Sequence, residues 1–217
     1  MAGTLLQVDL PEGAAEAIRL ADLLGDYADA FGLPGAGGEA LPEAAAAVRA
    51  RQPEKPLCLT APPGAAGASA FLARLVGLAQ ALRVAGDLTV DALRTLRAAA
   101  QEQGVRLLVD LTGLPDMEER ARSLSRAKPD AFLLEVARRE AGRADLDLAA
   151  VAAVREAGGR PVAIAADLEP TAMPQVLRFR PERLIVGRAV TGAPDPRRAA
   201  NALKARIESV QRLTQFF

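Results

Sequence analysis

Short apolar runs alternate along the chain with longer segments in which apolar residues recur at helical spacing. The short runs are typical of buried β-strands and the longer segments of amphipathic helices. Eight strands are predicted in this way, at residues 5–8, 27–33, 56–60, 78–84, 106–111, 131–136, 161–165 and 183–187. A predicted helix follows each of them, at residues 14–24, 39–50, 68–76, 89–103, 116–126, 148–157, 171–179 and 196–213.

This order predicts an α/β fold in which residues 1–217 form one (β/α)8 TIM barrel domain. Strands that alternate with helices form parallel sheets. Eight such units in 217 residues suit a closed barrel better than an open, doubly wound sheet. After the first strand comes Leu-Pro-Glu-Gly instead of a glycine-rich dinucleotide loop, and no Walker-type phosphate loop occurs.

Composition excludes several classes of function. The 27 basic residues are balanced by 27 acidic ones, which argues against a nucleic-acid or anionic membrane partner. The amino terminus lacks a basic region, and no stretch approaches the roughly 20 apolar residues of a transmembrane helix. We therefore expect a cytoplasmic protein.

The reactive side chains are few. Histidine is absent, which excludes imidazole-based nucleophile systems and metal sites. The single cysteine, Cys58, lies in the third strand and is expected to be a buried, unreactive thiol. The three lysines are Lys55, Lys128 and Lys204, all placed away from the carboxyl ends of the strands, so Schiff-base chemistry is not expected.

Candidate site residues come from the carboxyl ends of the strands, where barrels of this kind carry their functional groups. Those ends supply Asp9, Asp110, Glu135, Asp167 and the pair Gly187-Arg188. Four carboxylates at one mouth could bind a metal or a cationic ligand. The alternative is that they cap helices or form ion pairs with Arg138 and Arg188. The sequence alone assigns no metal ligands.

Several segments resemble the hexulose-6-phosphate synthase and 3-keto-L-gulonate-6-phosphate decarboxylase family of the orotidine 5′-phosphate decarboxylase group. The most specific is IVGRAVTG at residues 185–192, similar to the family's last strand. The others are LQVDL at 6–10, GDYADAFG at 25–32, LLVDLTGLPDMEERA at 107–121 and VAIAADL at 162–168. The resemblance covers nearly the whole chain.

The resemblance assigns roles to some residues. The family's first-strand aspartate is present as Asp9, its sixth-strand arginine as Arg138, and its phosphate-binding Gly-Arg as Gly187-Arg188. By this resemblance, and by their positions at strand ends, Asp9, Asp110 and Glu135 are the candidate catalytic residues. The candidate substrate-binding residues are Arg138, Asp167, Gly187 and Arg188.

Other family positions are changed. Gly32 replaces the second-strand glutamate, and Glu135 replaces the sixth-strand histidine. The third-strand motif Asp-x-Lys-x-x-Asp, which supplies metal-binding and proton-handling groups in the family, is replaced by Thr60, Pro62 and Ala65. The Gly-Gly phosphate cradle becomes Ala166-Asp167, where one like-charge pair at about 4 Å would cost roughly 4 kcal/mol.

We therefore expect a diverged family member that has lost the ancestral catalytic set and is non-catalytic or adapted to another small molecule. One alternative is an active carbon–carbon lyase, an aldehyde-lyase or carboxy-lyase, acting on a sugar-phosphate-like substrate with a rearranged site. Another is a scaffold or interaction protein. The resemblance implies a homodimer, and it implies Mg²⁺ as a cofactor whose ligands are mostly lost.

Overall fold

The computed structural model describes residues 3–35, 41–140, 143–146, 148–166 and 173–214. Eight of its strands close into a parallel barrel, which confirms the predicted (β/α)8 TIM barrel. In order around the barrel they are β1 Leu5–Asp9, β2 Ala30–Leu33, β3 Leu57–Thr60, β4 Ala81–Ala85, β5 Arg106–Asp110, β6 Ala131–Glu135, β9 Val162–Ala165 and β10 Arg183–Val186. β10 pairs with β1 and closes the circle.

Helices connect the strands and cover the outside of the barrel. They are α1 Ala14–Leu24, α2 Leu41–Arg51, α3 Ala65–Arg74, α4 Val90–Glu102, α5 Met117–Leu124, α6 Leu148–Gly158, α7 Met173–Leu177, α8 Arg188–Thr191 and α9 Pro196–Thr214. The boundaries of α4 show local sequence control: the Thr89 hydroxyl accepts the Ala92 N–H at its start, and Gly104 follows its end with φ of 69°. Among the described residues, no helix combines the length and apolarity needed to cross a bilayer.

Two strands begin later than the sequence pattern predicts. β2 starts at Ala30 and β4 at Ala81, each three residues beyond the predicted start. In both cases the preceding residues form a turn whose N–H groups donate to carbonyls at the end of the previous helix, Leu24 and Leu75. Each turn contains a buried apolar residue, Ala28 or Ala79, so periodicity could not separate the turns from the strands.

An antiparallel hairpin was not predicted. β7 Ala137–Glu140 and β8 Arg143–Leu146 pair between β6 and α6, beyond the carboxyl end of β6. Its four-residue strands lack alternating apolar residues, which is the signal that sequence analysis uses for strands. In its register Arg138 is the partner of Asp145 and Glu140 is the partner of Arg143.

The barrel strands have two different faces. On β1, Leu6 and Val8 point outward into the large core that the helices complete, whereas Gln7 and Asp9 point into the barrel. A second, smaller apolar cluster lies inside the barrel and consists of Cys58, Ala81, Leu108, Ala131, Leu133, Ala163 and Ile185. Most of these side chains are small, which leaves room inside the barrel for long polar side chains from neighbouring strands.

A side-chain acceptor repeats at the amino-terminal face of the barrel. The residue just before β2, β4 and β6 accepts a backbone N–H from the start of the preceding strand. These bonds are Leu6 to Asp29 at 2.9 Å, Leu57 to Gln80 at 2.9 Å and Leu107 to Asp130 at 2.8 Å. A basic side chain from a helix also binds each acceptor: Lys204, Arg49 and Arg97, respectively. These contacts fasten the strand starts, far from the mouth.

Replacing Asp130 with alanine is expected to lower the free energy of unfolding by about 2 kcal/mol, because it leaves the buried Leu107 N–H without its acceptor. Urea denaturation measures the change. The matched control is Asp91→Ala, which removes an exposed ion pair with Arg94 and should cost less than about 1 kcal/mol. Equal losses in the two variants would contradict a structural role for the Asp130 contact.

Candidate functional site

The mouth of the barrel contains most of the residues predicted from the sequence. Asp9, Asp110 and Glu135 are the last residues of β1, β5 and β6, so the parallel barrel brings all three to its carboxyl end. Gly187 directly follows β10, and Arg188 begins α8. Arg138 lies on β7, and Asp167 lies outside the described residues.

An ion pair between neighbouring strands dominates the mouth. Arg83 on β4 donates through Nε at 2.9 Å and through Nη2 at 2.5 Å to the same oxygen of Asp110, Oδ2. The other oxygen, Oδ1, accepts the Thr112 N–H at 2.9 Å. The two side chains keep only 21% and 19% of their surface exposed, so solvent screens the pair weakly. Both oxygens of Asp110 are thus occupied by groups of the chain itself.

Arg83 was not among the site residues predicted from the sequence. The predicted alternative to a metal site was an ion pair with Arg138 or Arg188, and the observed partner of Asp110 is neither. A buried barrel strand is expected to be apolar. Arg83 therefore looked like an interruption of the least regular predicted strand. Its inward position could have been found from the period of two that it shares with Ala81 and Ala85 on β4.

Both charge and burial act on the Arg83 guanidinium. Burial works to lower its pKa, but the charge and hydrogen bonds of Asp110, together with the charge of Asp9, outweigh burial and raise the pKa above its usual value. Arg83 is therefore a permanent cation inside the mouth. It lies beside Thr60, its register partner on β3.

A hydrogen-bonded chain of three side chains joins the neighbouring strands β10 and β1. Arg183 Nη1 donates to Gln7 Oε1 at 2.6 Å, and Gln7 Nε2 donates to Asp9 Oδ1 at 2.7 Å. Gln7 and Arg183 are 2% and 3% exposed. Gln7 therefore links the buried arginine to the Asp9 carboxylate and fixes the position of that carboxylate.

Gly32 makes this position possible. A Cβ at residue 32 would lie 1.9 Å from Asp9 Oδ1 and 2.5 Å from Gln7 Nε2. Both distances are far below any tolerable contact, so Asp9 occupies the space that a side chain at residue 32 would need. A glutamate at residue 32, which the resemblance associates with the second strand, would therefore clash with Asp9 as it is placed here.

Cys58 lies deep in the barrel and is 4% exposed. Burial raises the pKa of its thiol to about 11, although the charges of Arg183 and Arg83 act in the opposite direction. The thiolate is the reactive form of cysteine, so the raised pKa makes this thiol unreactive near neutral pH. The expectation of a buried thiol is confirmed.

We expect Cys58 to resist a disulfide reagent such as DTNB at pH 8 in the folded protein, because the thiol is both buried and protonated. Unfolding in urea should release one reactive thiol per chain, since the sequence contains a single cysteine. Absorbance of the released thionitrobenzoate measures both states. Complete reaction of the folded protein at the rate of free cysteine would contradict this burial.

Glu135 and the three lysines are the remaining side chains whose positions were predicted from the sequence. Glu135 is exposed, and its backbone N–H donates to Thr112 Oγ1 at 3.0 Å. Lys55 Nζ donates to the Ala28 carbonyl just before β2, and Lys204 binds Asp29 at the same amino-terminal face. Lys128 precedes β6. All three lysines therefore lie away from the mouth, as predicted.

The described residues do not fit the Mg²⁺ that the resemblance implies. Magnesium needs near-octahedral oxygen coordination, normally with at least one or two carboxylates available as ligands. Across the described parts of the chain, no three cysteine or acidic side chains come together as a metal site would require. Both oxygens of Asp110 are already engaged, and the third-strand positions are Thr60, Pro62 and Ala65.

Part of the chain is similar in sequence to known proteins. No family model matches the chain. The 3-hexulose-6-phosphate synthase 1 of Staphylococcus saprophyticus is 27% identical over 110 residues, which cover 50% of this chain. The match spans about half of that relative, 52% of its length.

Solved structures agree with the barrel over almost its full length. The 3-hexulose-6-phosphate synthase from Salmonella typhimurium has a TM-score of 0.80 at 23% identity, covering 95% of this chain and 99% of its own. The 3-keto-L-gulonate-6-phosphate decarboxylase from Vibrio cholerae gives 0.79 at 18% identity, with coverages of 95% and 98%. The orotidine 5′-monophosphate decarboxylase from Methanocaldococcus jannaschii gives 0.75 at 16%, with coverages of 94% and 99%. At these identities the likeness shows a shared fold. The relatives and structural neighbours of this chain are thus 3-hexulose-6-phosphate synthases, 3-keto-L-gulonate-6-phosphate decarboxylases and orotidine 5′-monophosphate decarboxylases, the group that its sequence motifs indicated.

Proposed function

We propose that this chain keeps the barrel of the hexulose-6-phosphate synthase and keto-gulonate-phosphate decarboxylase family without its Mg²⁺-dependent reaction. The barrel is either non-catalytic or adapted to a different small molecule at its mouth. The observation that carries this proposal is the Arg83–Asp110 ion pair beside Thr60. The expected homodimer and the cytoplasmic location stay predictions.

The Asp110 carboxylate at the mouth is already engaged by groups of the chain. By resemblance, the family's reaction passes through an enediolate that a divalent cation and a positioned acid stabilise. In this chain the Asp110 carboxylate is bound to the Arg83 guanidinium. Charge-assisted hydrogen bonds of this kind are among the strongest in proteins. A metal ion would have to displace Arg83 and leave that cation largely buried without its partner, at a cost of several kcal/mol.

The second carboxylate is constrained as well. Asp9 Oδ1 accepts a hydrogen bond from Gln7 Nε2, and its position beside Gly32 leaves no room for a side chain at residue 32. Together, Asp9 and Asp110 are held by partners that belong to the chain. This arrangement supports a mouth whose charges are balanced internally.

An active lyase with a rearranged site is the second candidate. Two observations favour it: Glu135 is exposed at the rim, and the Gly187-Arg188 pair follows β10 as the resemblance requires. Such an enzyme would act as an aldehyde-lyase or a carboxy-lyase and would use Asp9, Asp110, Glu135, Arg138 and Arg188. A scaffold role, in which only the outer helices act, is the remaining alternative.

The test is a thermal-shift titration with ribulose 5-phosphate and Mg²⁺, for which we expect no stabilisation. A ligand present at a hundred times its dissociation constant stabilises a folded protein by about 2.7 kcal/mol. For a chain of this size that corresponds to a shift of roughly 5–10 °C. A working 3-hexulose-6-phosphate synthase measured in parallel is the positive control.

The outcomes separate the candidates. No shift in this chain alongside a clear shift in the control supports the proposal. A Mg²⁺-dependent shift of several degrees, accompanied by turnover of the phosphosugar, refutes it and establishes the lyase.

A further inference from the structure

We propose that Arg83 is a binding residue for an oxyanion, and that the mouth of the barrel takes a small carboxylate- or phosphate-bearing molecule without a divalent cation. The inference rests on the proposed function in one respect, because it assumes that no metal ion bridges the anion to the protein. It concerns a residue to which the family resemblance gives no role.

The guanidinium of Arg83 has an unused edge. Its planar fork carries five N–H groups, and Nε and Nη2 both donate to Asp110. Within the described part of the chain, Nη1 has no hydrogen-bond partner, yet it is not among the buried polar atoms that lack one. Nη1 is therefore not fully buried, and it makes no hydrogen bond to the described residues.

The wall around this edge is formed by small residues. Ala85 follows Arg83 on the inner face of β4 and places only a methyl group between the guanidinium and the mouth. Thr60, its register partner on β3, is a small side chain at the position where the family resemblance places an acid. On β2, the space beside Gly32 is filled by the Asp9 carboxylate. The described residues that border the unused edge of Arg83 on β3 and β4 are therefore small.

The charges inside the barrel do not repel an anion overall. Asp110 is paired with Arg83, and Asp9 is linked through Gln7 to the buried Arg183. The formal charges of these two aspartates and two arginines therefore cancel. An incoming oxyanion accepts bonds from Nη1 of a guanidinium that remains charged at every physiological pH.

Anchoring by Asp110 also favours binding. The Asp110 carboxylate is fixed by two bonds from Arg83 and one from Thr112, so the guanidinium is held in place before the ligand arrives. A donor positioned in advance loses little side-chain entropy on binding. Arg83 is therefore held ready for an anion, whereas a flexible surface arginine would have to be ordered on binding.

The experiment titrates the folded protein with inorganic phosphate and, separately, with malonate, followed by NMR or calorimetry in EDTA. We expect saturable binding of at least one probe, unchanged when Mg²⁺ replaces EDTA. Arg83→Met should weaken that binding about tenfold to a hundredfold, the range for loss of a charge-assisted hydrogen bond. The double variant Arg83→Met/Asp110→Leu should bind as weakly, and it avoids leaving Asp110 unpaired if the single variant folds poorly.

Arg97→Met is the matched control. Arg97 pairs with Asp130, and the two side chains are 23% and 19% exposed, almost the same as in the Arg83–Asp110 pair. The Arg97 pair lies at the opposite end of the barrel, so this variant should bind both probes like the unmodified chain. A third variant, Arg188→Met, distinguishes a site at Arg83 from one at the Gly187-Arg188 turn.

Each result of these titrations either supports or overturns the proposal that Arg83 binds an oxyanion. Binding that Arg83→Met weakens and Arg97→Met preserves supports it. Binding that survives in Arg83→Met and disappears in Arg188→Met overturns it, and so does the absence of binding for both probes. Neither of those results affects the proposed function. Binding that appears only with Mg²⁺ overturns the inference and the proposed function together.

Discussion

Replacing Arg83 with methionine is expected to lower the free energy of unfolding by about 3 kcal/mol. The substitution keeps the length of the side chain but leaves the Asp110 carboxylate, which is 19% exposed, with only the Thr112 N–H as a partner. Removal of one partner from a buried ion pair costs about 3–5 kcal/mol, and partial exposure places this pair at the low end. Urea denaturation followed by circular dichroism measures the loss.

Two further variants test the cause of that loss. The double variant Arg83→Met/Asp110→Leu removes both charges and should recover most of the stability, because no unpaired charge remains in the mouth. Arg94→Met breaks a surface pair with Asp91, whose side chain is 88% exposed, and should change stability by less than about 1 kcal/mol. If Arg83→Met cost no more than Arg94→Met, the ion pair would not organise the mouth.

Gly32→Ala is the second substitution with a large expected effect, about 3 kcal/mol of lost stability. The new methyl group would lie 1.9 Å from Asp9 Oδ1 and would displace Asp9, Gln7 or both. Displacing Gln7 would also remove the hydrogen bond that it accepts from the buried Arg183. Overpacking alone costs about 1–3 kcal/mol, and the broken hydrogen bonds add to it.

A double-mutant cycle isolates the contact. In an Asp9→Ala background the same Gly32→Ala change should cost less than about 1.5 kcal/mol, because the nearest obstacle is gone. Gly35→Ala is the control, since the nearest heavy atom to its added methyl, Glu12 Cγ, lies at an ordinary contact distance of 3.6 Å. It should cost less than about 0.5 kcal/mol. Additive losses at residues 9 and 32 would show that the two side chains do not compete for space.

The barrel could be predicted from the sequence because its strands and helices have strong and different periodicities. The strand ends were predictable as well, and Asp9, Asp110 and Glu135 lie at one mouth as expected. The hairpin of β7 and β8 could not be predicted, since its strands have no apolar alternation. The starts of β2 and β4 were misplaced because apolar turns precede both strands.

The partners of the carboxylates could not be predicted, for a physical reason. Which side chains meet inside a barrel depends on the register between neighbouring strands, and no single strand encodes that register. Arg83 therefore appeared as an interruption of a weak strand, although it forms the central ion pair. Gln7 and Arg183 occupy strand positions that are ordinarily apolar, and only the closed barrel shows that they bind each other.

A crystal structure grown with Mn²⁺ and ribulose 5-phosphate, with anomalous data collected at the manganese edge, tests the central claim most directly. Our account predicts no anomalous peak on Asp9 or Asp110 and an intact bond from Arg83 to Asp110. Manganese bound to either carboxylate, with the Arg83 guanidinium displaced from Asp110, would contradict the account and show that the mouth still performs metal-dependent chemistry.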